Sequence, residues 1–319
     1  MLTKLTHMRA PTGLQYTLSK STQHGEAVAV ITEVAASLRV LSIGGIDLTE
    51  PYAEEVVPPF GDGIVLVPWP NRVEDGLWVH EGASQLLDIT EPARHNALHG
   101  LLRDRPYSVV EQAVDAVTLA ATVYPTRGYP FILDTTVHYE LVDDGIRVTH
   151  AVINGGSSRA PYAVGTHPFL RLGDVPTQEL TLAVSAGTRF ETDARLNPTR
   201  EVSIDGTEYD LRAGRLVAGL DLDDAFGAVT PVDGVSHHRL TAADGRFVEL
   251  WQESDFAYVQ VFTTRIFPKD GGLGTAIAVE PMTAPPNAFN SGQGLRWLEP
   301  GESWSGSWGI RYSGTNEGE

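Results

Sequence analysis

Two segments far apart in the chain carry side chains whose types and surroundings suit proton transfer. In the first, Glu280 stands between the strand-like run Thr275 to Val279 and a loop holding Pro281, Pro285 and Pro286. Proline fixes φ and removes amide donors, so the chain beyond Glu280 stays extended and irregular and the carboxylate falls at a strand end. A glutamate held there and partly desolvated has a raised pKa and can serve as a general base near neutrality. The plainer alternative is a solvated glutamate at a strand end. In the second, Tyr162 to Phe169, His167 is followed by Pro168, which biases its backbone toward the extended region. Histidine titrates close to neutral pH, so a positioned imidazolium can protonate an ether-like oxygen; the alternative is a satisfied core histidine.

Three further segments offer ligands rather than reagents. His95 and His99 lie four apart, but Asn96 stands where a zinc protease needs glutamate, and no third ligand follows at a recognisable spacing. No metal is therefore expected, and His237 and His238 read as ordinary surface. Pro68-Trp69-Pro70-Asn71-Arg72 combines an aromatic plane, an amide and a guanidinium on a constrained loop, a mixture that suits a sugar. Its alternative is a structural loop with Arg72 paired to Glu74 or Asp75. Asp223 to Phe226 carries little by itself.

The elements that must position these groups read as strands. Apolar residues alternate at Val117, Leu119, Ala121 and Val123, at Val137, Tyr139 and Leu141, and at Ile146, Val148 and Val152, with His150 inside the last run. Asp144-Gly145 and Asp244-Gly245 offer the positive φ of tight hairpins. The 32 glycines and 20 prolines are spread along the chain, leaving few windows for three helical turns. Residues 210–220 support a short helix or turn at most, because Gly214 and Gly219 interrupt the pattern. With no repeat and no linker-like run, the expectation is all-β: one large antiparallel β-sandwich spanning 1–319, with Ser313 to Glu319 as a frayed tail.

Composition excludes several classes of function. Lys and Arg number 23 against 41 Asp and Glu, a net charge of −18 that repels nucleic acid and anionic membranes. The absence of cysteine removes thiolate nucleophiles, cysteine zinc sites and iron–sulfur clusters. The N-terminal residues lack a signal-like apolar run and no stretch is long enough to span a bilayer, so a cytoplasmic protein is expected.

Taken in order, Asn71-Arg72 with Gly76, Leu98-His99-Gly100, Thr166-His167-Pro168, Asp223 with Phe226, and Glu280 with Asn290 resemble the aldose 1-epimerase (galactose mutarotase) family. Further similarity at Gly128-Tyr129-Pro130, Tyr139-Glu140-Leu141 and Val259 to Thr263 extends the resemblance over about residues 35 to 310. It implies a mutarotase-type supersandwich and an isomerase without cofactor, with Glu280 as base and His167 as acid. Asn71, Arg72, His99, Asp223 and Gln260 would contact or position a small sugar. Leu101, Pro168-Phe169 and the stretch Met282 to Pro286 differ from the galactose-type pattern and resemble a bacterial branch that includes sulfo-sugar mutarotases, which leaves the sugar open. An epimerase for an anionic sugar would add cationic ligands, for which Arg94, Arg103 and Arg105 are candidates. A non-catalytic carbohydrate-binding protein on the same fold is the reading of another class. A glycosidase is disfavoured, because it ordinarily needs paired carboxylates.

Overall fold

A computed structural model describes residues 9–314. The expected alternation is there: Ala116–Val123, Leu133–Val142 and Gly145–Asn154 are consecutive antiparallel strands that bury Val117, Leu119, Val137, Tyr139, Ile146 and Val148. They belong to a nine-stranded sheet that continues through Ser303–Ser313, Phe247–Glu253 and Val235–Thr241 to Thr181–Val184. An eight-stranded sheet is centred on the long strands Tyr258–Lys269 and Gly272–Met282, and a four-stranded sheet is built from residues near the N-terminus. One hydrophobic core draws Leu18 and Ile31 from the four-stranded sheet, Leu119, Val148 and Ile310 from the nine-stranded sheet, and Val259, Val261, Ile277 and Val279 from the eight-stranded sheet. The architecture is thus an all-β antiparallel sandwich. Among the described residues, α-helix is confined to Ala288–Ser291, and no helix is long and apolar enough to cross a membrane.

Several sequence expectations are refined. Residues 210–220 contain a single 3-10 turn, Val217–Gly219. The tail begins later than expected, since Ser313 still closes a strand, and residues 315–319 lie outside the described ones. His238 is not surface. The strand Val235–Thr241 alternates strictly and turns Ser236, His238 and Leu240 inward, and burial lowers the His238 pKa to about 4. His237 on the opposite face meets Glu249 at 2.8 Å.

The two Asp-Gly hairpins form for different reasons. Gly245 takes the positive φ that was expected, at 89°. Gly145 does not have a positive φ; it pairs with Val142, and a Cβ there would stand 1.8 Å from the Ile310 carbonyl oxygen of the neighbouring strand. Glycine is needed at 145 for close approach of that strand. Gly145→Ala should therefore cost about 1–3 kcal/mol through overpacking, read as a lower urea midpoint with an unchanged m-value; an unchanged midpoint would contradict this reading.

Candidate active site

The face of the eight-stranded sheet turned away from the core carries the candidate chemistry. Val259, Val261, Ile277 and Val279 point into the core, so the strand pleat sends Gln260, Phe262 and Glu280 to the other side. One antiparallel register runs from Gly165 against Met282 to Phe169 against Ala278 and Leu170 against Ile277. Continued across the irregular residues between those pairs, it sets His167 directly opposite Glu280. On its other flank Glu280 is paired with Gln260, which is paired in turn with Ala225, two residues beyond Asp223 and on the same face. The sheet register thereby delivers an imidazole, a carboxyl, an amide and a second carboxylate to one patch.

A loop pair supplies the opposite wall. Asn71 and His99 both adopt left-handed backbone conformations, at φ 56° and 64°, and they are locked to each other. The His99 amide donates to the Asn71 carbonyl at 2.8 Å, and the Asn71 amide donates to His99 Nδ1 at 3.2 Å. Gly100 follows because a Cβ there would lie 2.1 Å from the Val67 carbonyl oxygen. With Nδ1 serving as acceptor, the His99 proton sits on Nε2. Burial, helped by His167, Arg72 and Arg103, pushes the ring well below its ordinary pKa, so His99 is a neutral donor.

Arg72 does not pair with Glu74 or Asp75. Its Nε and Nη2 donate to the two oxygens of Glu91 at 2.9 and 3.2 Å, and Nη2 also reaches Asp223 at 3.4 Å. Burial works against charge on Glu91, but Arg72, Asn96 and Arg94 outweigh it and hold that carboxyl below its ordinary range. Gln260 Nε2 donates to Asp223 Oδ1 at 2.7 Å. Asp223 is thus fixed from two sides, and a forked Arg–carboxylate contact aims the guanidinium.

Asn71, Arg72, His99, His167, Asp223, Gln260 and Glu280 together line a cavity of about 300 Å³, with Phe60, Arg94, Leu98 and Phe262 completing it. His167 Nε2 and Glu280 Oε1 stand 3.3 Å apart, with side-chain exposures of 6% and 2%. Glu280 lies on the buried floor, deeper than the rim position its strand-end placement implies. Burial first, then the Asp223 charge, raises its pKa well above the usual carboxylate range, against the opposing effect of Arg72. Burial lowers His167 to about 4, with Arg72 acting in the same direction and the residue's own carbonyl opposing. Burial thus favours the neutral His167 ring over the imidazolium. Both shifts favour the neutral forms, a protonated carboxyl beside a neutral imidazole.

Other sequence candidates lie elsewhere. Trp69 is buried against Tyr129 and Phe289 and belongs to the core, so Phe60 and Phe262 supply the cavity's aromatic wall instead. His95 pairs with Asp75 at the surface, while His99 lines the cavity, so the two do not converge. Arg105 lines a separate, larger groove of about 1070 Å³ on the nine-stranded sheet, whose walls are mostly Ala, Val, Ser and Thr. Sequence reasoning missed Glu91 and Phe60. No spacing rule ties Glu91 to Arg72, and Phe60 has only its left-handed φ of 53°, visible once the backbone is known.

The family model described as aldose 1-epimerase matches residues 44–311. The chain belongs to the aldose 1-epimerase family. A relative from Escherichia coli K12, the uncharacterized protein YihR, is 34% identical over 281 residues, covering 87% of this chain and 88% of that protein. Among solved structures, the GalM/aldose epimerase homologue of C. elegans superimposes with a TM-score of 0.82 at 18% identity, covering 95% of this chain and 100% of that one. A galactose mutarotase-like protein from Clostridium acetobutylicum gives 0.77 at 18%, covering 94% and 98%. At such identities these two likenesses bear on the aldose epimerase fold alone.

The His99 assignment has a direct check. Nitrogen-15 NMR should show a neutral ring protonated at Nε2 around neutral pH and below the ordinary histidine pKa, given its burial and its Nδ1 acceptor role. A ring that titrates with an ordinary histidine pKa would overturn it.

Proposed function

We propose that this chain is an aldose 1-epimerase, a single catalytic domain that interconverts the α and β anomers of a sugar, with Glu280 as base and His167 as acid. The observation that carries this reading is their 3.3 Å approach on the buried floor of a cavity sized for one small molecule. Gln260 Oε1 and Glu280 Oε2 are buried without hydrogen-bond partners. Unmet polar atoms of that kind each cost about 1–3 kcal/mol, and a polyhydroxylated ligand can satisfy them. The aromatic wall of Phe60 and Phe262 suits the apolar face of a pyranose.

Opening a hemiacetal requires the anomeric hydroxyl to lose a proton and the ring oxygen to gain one. In the reactive tautomer Glu280 is the carboxylate and His167 the imidazolium, reached by moving the shared proton across the 3.3 Å gap. Glu280 takes the C1 hydroxyl proton, the bond from C1 to the ring oxygen breaks, and His167 protonates that oxygen. The result is the open-chain aldehyde with a neutral carboxyl and a neutral imidazole. Rotation about C1–C2 presents the other carbonyl face, and the same transfers reversed close the ring. The pair ends with the proton it began with, so no exchange with bulk water is needed. His99 Nε2–H and Arg72 can steady charge developing on oxygen, and the chemistry calls for no redox partner.

A second reading differs only in the sugar. Arg94 lines the cavity with its side chain 42% exposed and one end held by Glu91, and a cation there suits an anionic sugar. Exchange spectroscopy on the anomeric protons of glucose, glucose 6-phosphate and a sulfonated sugar separates the two. An anionic substrate predicts that Arg94→Ala raises KM for the charged sugar alone, whereas equal turnover of all three sugars contradicts it.

Glu280→Gln deletes the base at constant size and should slow anomer exchange on the order of a hundred-fold to ten-thousand-fold while the sugar still binds. Polarimetry on a freshly dissolved α-aldose measures this, and unchanged turnover refutes the assignment. The pH profile should be bell-shaped. Below about pH 4, His167 gains a second proton for the pair and the carboxylate base is lost. Above the raised Glu280 pKa the pair loses its one proton and no acid remains. A profile rising through pH 6 to 7 as an ordinary histidine titrates would contradict the shared-proton pair.

A further inference from the structure

We propose that Asp62 is a positioning residue that aims the His167 imidazole through the main chain, an inference that rests on the acid assignment above. The His167 Nδ1 is buried without a hydrogen-bond partner. A catalytic imidazole ordinarily has its second nitrogen held by a third group; here the residue's own carbonyl acts on the ring, so the direction of Nε2 depends on how that backbone is held. Ring packing contributes: His167 lies 5.3 Å from Phe169 and 5.5 Å, edge-on, from His99, measured between ring centroids. The rest falls to the backbone of residues 167 to 169.

That backbone is clamped from both sides. The His167 amide donates to the Ile64 carbonyl at 3.2 Å, and the His167 carbonyl accepts from the Gly63 amide at 2.9 Å. The Pro168 carbonyl accepts from Val279 at 3.2 Å, which ties the loop to the strand carrying Glu280, and the Phe169 carbonyl accepts from Glu50 at 2.9 Å. The Phe169 amide remains, and it donates to a side chain, Asp62 Oδ1, at 3.2 Å.

Asp62 is itself rigidly held. Its carbonyl accepts from Ser37 Oγ at 2.8 Å, and Ser37 Oγ also meets the Tyr52 hydroxyl at 3.1 Å. The next residue, Gly63, could not carry a Cβ, which would lie 2.3 Å from the Leu38 carbonyl oxygen. The Asp62 carboxyl is fully buried and its Oδ2 has no partner. Burial, opposed by the Phe169 amide and reinforced by Glu50, raises its pKa well above the usual range, which favours the neutral acid as the acceptor. A neutral acid and an amide have the same shape and the same acceptor oxygen, so asparagine should substitute for it.

The test compares Asp62→Asn and Asp62→Ser in the full chain. The asparagine variant should retain most of the parent kcat. The shorter serine, unable to reach the Phe169 amide, should lower kcat on the order of ten- to a hundred-fold with KM nearly unchanged, as expected for a misaimed catalytic group. The nitrogen-15 signals of the His167 ring should move in the serine variant and not in the asparagine one. A folded serine variant with parental kcat, or an asparagine variant that falls as far as serine, would overturn the proposal. Should the serine variant not fold, hydrogen exchange at the Phe169 amide of the parent decides, with slow exchange expected and fast exchange contradicting the clamp. Failure of the acid assignment shows separately, as unimpaired catalysis in His167→Gln, and leaves the ring signals and the amide exchange as readouts of Asp62.

Discussion

Two buried ionisable side chains face each other, Glu280 on a long strand and His167 in the irregular link between two short strands that pair with it. A lone charge in such a place is costly, and each group responds by shifting toward its neutral form, the carboxyl upward and the imidazole downward. Because Nε2 and Oε1 are 3.3 Å apart, they can instead be charged together at constant net charge. The neutral and ion-pair forms differ by the place of one proton, and in the proposed reaction that would supply an acid and a base at the same pH without an external proton source.

The rest of the cavity keeps that balance. Arg72 is the strong cation beside the pair, and it disfavours the imidazolium while favouring the carboxylate. Two acidic groups, Glu91 and Asp223, share its guanidinium, which fixes its direction and moderates its field. His99 is tied to Asn71 as a neutral donor, so the second imidazole adds a hydrogen bond without adding a competing charge. Asn71 and His99 hold left-handed backbone conformations at the wall, and only glycine fits at position 100 after His99; left-handed non-glycine residues cluster at functional sites.

Much of this was legible in the sequence, for identifiable reasons. Strict alternation in the strands around Leu119, Tyr139 and Val148 follows from a half-buried sheet and needs no tertiary knowledge. Five of the seven candidate residues, Asn71, Arg72, His99, His167 and Glu280, sit in short segments constrained by proline, glycine or an aromatic neighbour, whereas Asp223, weak by itself, and Gln260 entered through the family resemblance. What failed depended on contacts distant in the chain. Trp69 read as a sugar platform, yet the Tyr129 and Phe289 rings claim it. His238 read as surface because two adjacent histidines do not reveal which one faces inward. Gly145 was placed in its hairpin correctly, but the reason lies in Ile310, on a strand at the far end of the sequence. Glu91 and Asp62 carry no local signal, since each matters through one distant partner, Arg72 or the Phe169 amide.

The most direct measurement is a crystal structure with an aldose bound in the cavity. The proton-sharing pair requires His167 Nε2 within hydrogen-bond reach of the pyranose ring oxygen and a Glu280 oxygen within reach of the anomeric hydroxyl, each at roughly 2.6–3.2 Å. A sugar seated with its ring oxygen and C1 hydroxyl turned away from both groups, or bound outside this cavity, would contradict it.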